Sequence, residues 1–97
     1  MTSIAGMLQW IPVEEHGPTA PFPHEYICAF AYIGSDARTE SAILVEGLEP
    51  GKNECVVRAR WVDGYPKLAA RPGDVLTLIA AHRPIATIAV DSVEHIA

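Results

Sequence analysis

Little in this sequence announces chemistry. Its 97 residues hold two cysteines, Cys28 and Cys55, and no CxxC pair. Structural zinc sites and disulfide frameworks are read from patterned cysteines, so neither is indicated. The four histidines, His16, His24, His82 and His95, form no HxH or HExxH spacing, and no metal site is expected from them. A GxxxxGK[ST] phosphate loop is missing, which excludes a nucleotide-hydrolysing domain of that type. No cofactor is expected. The longest apolar run, residues 26–33, has eight residues, too few to cross a bilayer as a helix. The opening MTSIAGMLQW lacks a basic start and a long apolar stretch, so no signal peptide is read and a cytoplasmic location is expected.

Positive charge is also scarce. Seven basic residues stand against twelve acidic ones, a net charge of −5. A protein built to hold a phosphate backbone normally carries a basic face. Only Arg58 and Arg60 cluster here, so nucleic acid is disfavoured as the main partner.

What is present is apolar and extended. Hydrophobic residues make up 49% of the chain and charged ones 20%, the balance of a folded domain, and the length suits one domain over residues 1–97. No helical period of ten residues or more occurs. The window 36–48 comes closest, but Ile43-Leu44-Val45 leans it towards strand. Strands are expected at residues 4–11, 26–33, 41–45, 54–62, 74–80 and 85–93. Residues 54–62 (ECVVRARWV) alternate cleanly, with Cys55, Val57, Ala59 and Trp61 on one side. Residues 26–33 (YICAFAYI) are apolar on both faces, which predicts a central strand covered on both sides with Phe30 in the core. Residues 13–25 are rich in proline and read as a long loop. His82-Arg83-Pro84 reads as the corner between the last two strands. Five to six strands at this spacing make an all-β barrel or sandwich.

Four places carry a family resemblance. They are Glu14-Glu15-His16-Gly17 with Pro21-Phe22 and Tyr26, then Glu49-Pro50-Gly51-Lys52-Asn53 with the strand after it, then Leu76 to Ala81, and His82-Arg83 with residues 85–93. In this order the chain resembles the C-terminal β-barrel domain of elongation factor Tu. The resemblance implies a small six-stranded antiparallel barrel, closed or partly open, that contacts a tRNA stem and other translation proteins. The chain departs from that pattern at Gly17-Pro18, where the family has glycine and arginine, at Glu25 in place of a glycine, and at Lys52 in place of an aspartate.

Candidate chemistry is thin. His24 precedes Cys28 by four residues, but strand alternation puts Cys28 in the core and His24 in the proline-rich loop, so no Cys–His nucleophile is expected. Each cysteine lies in an apolar run, which reads as two buried thiols, with a single disulfide as the alternative. Glu14 and Glu15 are adjacent and point to opposite faces, as solvated charges do. Arg58 and Arg60 share one strand face about 7 Å apart by strand rise, a spacing suited to a carboxylate or phosphate. With Arg83 and His24 they form the candidate recognition set. A non-enzymatic module that binds another protein or itself is therefore expected, self-pairing through strand edges being one route. Binding of tRNA, as the resemblance implies, is the alternative.

Overall fold

A computed structural model describes residues 2–11, 25–34, 40–49, 52–80 and 83–95. Six strands form: β1 (Thr2–Trp10), β2 (Tyr26–Ile33), β3 (Ser41–Glu46), β4 (Glu54–Trp61), β5 (Val75–Ala80) and β6 (Arg83–His95). They close into an antiparallel barrel in the order β1-β4-β3-β2-β5-β6, with β6 returning to β1. The chain is all-β and closed, so the described strands leave no open side of the kind expected to drive edge pairing.

Alternation sets which side chains enter the barrel. Along β1, Ile4, Gly6 and Leu8 face in; along β4 it is Cys55, Val57, Ala59 and Trp61. Ile43 and Val45 of β3, Leu76 and Leu78 of β5, and Ile88 of β6 complete a core with almost no solvent contact. Such layers fill a small barrel without a channel.

Strand β2 corrects the expectation of a doubly covered strand. Its inward set is Ile27, Ala29, Ala31 and Ile33; Tyr26, Cys28 and Phe30 are exposed, Phe30 by 44%. Periodicity cannot tell inside from outside when both faces are apolar. The neighbours set the phase: Ala31 stands opposite the buried Ser41 of β3 and Leu78 of β5, which turns the alternate residue Phe30 outwards. Phe30 therefore stacks edge-on against Tyr65, ring centroids 6.0 Å apart, instead of filling the core. Cys28 is likewise an exposed free thiol, and only Cys55 is buried.

The corner expected at residues 82–84 is also displaced. Arg83 already pairs with Ala80, and Pro84 sits opposite Ile79 beside a bulge. A bulge is where a strand tolerates a residue with no N–H to give. The 36–48 window resolves as β3 at Ser41–Glu46, with residues 36–39 outside the described set.

Two connections are tied down. Between β3 and β4, Leu48 is buried and its N–H donates to Glu25 O at 2.9 Å, while the Glu49 N–H donates to Cys55 Sγ at 3.3 Å. Between β4 and β5, the buried Ser41 hydroxyl donates to Pro66 O, and the Gly73 N–H reaches Val90 O at 2.9 Å.

Candidate functional site

Arg58 and Arg60 lie on the outer face of β4, as their alternation requires. They line an open groove of about 460 Å³ with Ser3 and Ala5 of β1, Val56 of β4, and Glu46 and Gly47 at the end of β3. Gly47 lines the groove just after β3. Its φ is +93°, and a Cβ there would stand 3.2 Å from Val56 O. A side chain at this position would therefore be strained by the backbone and would need the strand to give by a few tenths of an ångström.

The groove is electrostatically divided. Glu46 lies directly opposite Arg58 in the register. Its carboxylate leans instead towards Arg60, Oε1 to Nη2 at 4.0 Å, with both side chains about half exposed. Among the described residues Arg58 forms no ion pair. Arg58 is thus the cation in the groove best placed to meet an incoming acidic group.

Beside the groove runs a feature the sequence reading missed. The register sets four exposed apolar residues in one row across four neighbouring strands: Val75 opposite Ala89, Ala89 opposite Met7, and Met7 opposite Val56. Val75 is 43% exposed, Met7 39% and Val56 68%. Residues far apart in the chain meet here only because β1 lies between β4 and β6. Val56, apolar on the otherwise polar face of β4, was the one available signal.

Arg83 is not part of this surface. It lies at the start of β6, near the end of the barrel marked by the Trp10 to Ala86 pair, whereas Arg58 is opposite Ala5 towards the other end. His24 lies outside the described residues, as do Glu14, Glu15, His16, Pro21, Phe22, Pro50, Gly51 and His82. Trp61 is core; Trp10 is half-buried against it.

Reactive groups do not converge among the described residues: no three of His, Cys, Asp and Glu lie together as metal ligands. Lys52 is held in its charged form by its neighbour. A hydrogen bond and charge attraction from Glu49, 2.6 Å away, hold its ammonium above the ordinary value of 10.5. A raised lysine contributes stability below that value and loses it as pH climbs through the folded-state value; here both partners are exposed and screened.

No family model, no curated protein and no solved structure matches this chain. Among the described residues no helix is long and apolar enough to cross a membrane.

Proposed function

We propose that this chain is a non-enzymatic barrel module that binds protein through the outer wall of β4, β1, β6 and β5. One observation carries the reading: an in-register row of exposed Val75, Ala89, Met7 and Val56 beside an arginine pair. Scattered apolar residues on a surface mean little, but a contiguous patch rimmed by charge is what interfaces look like before they are covered. Burying Val56 and Met7 supplies the apolar contact, and arginine is enriched at such interfaces.

A photo-crosslinking amino acid at position 56 tests this in cells, with the same group at Lys67 as a control on the β4–β5 connection. The expected result is a protein adduct at position 56 and none at 67. No adduct, or equal adducts at both, would reject the wall as a binding face.

A second reading, tRNA binding, draws on Arg58 and Arg60 beside Ser3 in an open groove. It requires affinity that falls steeply with salt. Glu46 at the groove, and the net charge of −5, favour a protein partner over a polyanion.

A further inference from the structure

We infer that the partner of this wall is a second copy of the same chain, packed face to face about a two-fold axis running along β1. This rests on the proposed binding face and names its occupant. The support lies in how charge is divided on either side of β1. On the β4 side, Arg58 stands opposite Ala5, and Arg60 follows one row further out on the same face. On the β6 side at the same heights, Asp91 and Ser92 sit exposed at the bulge opposite Ala5, and Glu94 is opposite Ser3. Basic and acidic groups thus flank one strand at matched levels.

A two-fold rotation about β1 exchanges left and right and keeps height. Arg58 of each copy then faces the bulge carrying Asp91 in the other, and Arg60 faces Glu94. Val56 faces Ala89, and Met7 meets Met7 on the axis. Every contact occurs twice, as an isologous interface demands. Turning the partner end over end would instead oppose Arg58 to Glu54 at the Gln9 level of β4 and Asp91 to the Thr87 level of β6, leaving Asp91 and Glu94 without partners.

The sizes of the side chains suit the curvature. Barrel walls are convex, so two of them touch along a line and diverge to either side. Small Ser3 and Ala5 share the touching line with Met7, which permits close approach. The long Arg58, Arg60 and Glu94 stand on the diverging flanks, where reach is needed. Among the described residues Arg58, Asp91 and Glu94 have no ion pair within the chain. Convex contact also limits the buried area, so the dimer is weak and dissociates on dilution.

Paired charge reversal tests the arrangement by sedimentation equilibrium. The wild-type chain is expected to dimerise with rising concentration. The double variant Arg58→Glu/Arg60→Glu places like charges in apposition and should weaken association about tenfold or more. Asp91→Arg/Glu94→Arg should do the same. Mixing the two folded variants one to one should restore the dimer, because each then presents what the other lacks. If the mixture stays monomeric while wild type dimerises, the β1-axis pairing is wrong. If Met7→Glu still breaks that dimer, the binding wall itself stands. Wild-type monomer at all concentrations up to about 1 mM, a Kd no better than weak encounter, also overturns self-pairing. An adduct from position 56 to a different protein would then leave the wall as a heterologous site. Circular dichroism of each variant separates lost pairing from lost folding.

Discussion

At the scale of single residues, the close passage of β1 and β6 depends on Gly6. A Cβ built there would run into the Ala89 carbonyl oxygen and lie 3.0 Å from Ile88 Cγ2. Backbone cannot step aside as a flexible side chain can, and the register shift between Ala5 and Gly6 leaves no slack. Gly6→Ala is expected to destabilise by about 2 kcal/mol or more through overpacking, read as a lower urea midpoint at unchanged slope. Trp61 makes the opposite case. It is 5% exposed, and its Nε1–H has no acceptor among the described residues. An orphaned buried donor costs roughly 1–3 kcal/mol, so Trp61→Phe recovers much of what the lost ring volume gives up. The net cost should be under about 1 kcal/mol, against about 2–5 for Leu78→Ala in the same core. Equal losses in the two variants would show that the indole nitrogen is satisfied after all.

At the scale of elements, the six seams of the barrel are unequal. β1 and β6 pair from Thr2↔His95 to Trp10↔Ala86, while β2 and β5 pair only from Phe30↔Ile79 to Ile33↔Leu76. Local opening follows the weakest line of pairing. Backbone amides of the equally short β2–β5 and β3–β4 seams should therefore exchange with deuterium through an opening of lower free energy than those of β1–β6. Uniform protection would mean that the barrel opens only as a whole. These strands were largely legible in the sequence, because β4 alternates and turn residues bound the rest. The phase of β2 was not, since Tyr26, Cys28, Phe30 and Tyr32 are as apolar as Ile27, Ala29, Ala31 and Ile33. Only pairing with β3 and β5, whose buried Ser41 and Leu78 stand opposite Ala31, decides between them. Arg58 and Arg60 could be placed on one face from alternation alone. The apolar row beside them could not, because it is assembled from four strands whose order no local pattern reveals. The same ignorance of order put Arg83 in one candidate set with Arg58, at the other end of the barrel.

At the scale of the whole molecule, closure decides how this chain can associate. A sheet with a free side offers unpaired N–H and C=O groups to any neighbour and grows by edge pairing. Here β6 returns to β1, so the described strands offer no free edge, and the proposed contact between copies uses side chains on the wall. The last part of β6 does much of this sealing: Ser92, Val93, Glu94 and His95 pair with Ala5, Ile4, Ser3 and Thr2. Thr2 Oγ1 and His95 Nδ1 meet at 3.1 Å across the seam. Ending the chain after Val90 would bare one side of Thr2 to Ala5 and uncover Ile4, now 1% exposed. The rest of β1 would still pair with β4 and with the remaining part of β6. The shortened chain should thus keep most of its β circular-dichroism signal yet scatter light increasingly with time and concentration. Adding Met7→Glu, which blocks the wall but leaves the new edge open, should not prevent that growth. If the shortened chain stayed as dispersed as the full one, closure would not be what keeps copies from adding strand to strand. If Met7→Glu abolished the growth, the assembly would be running through the wall and not the edge.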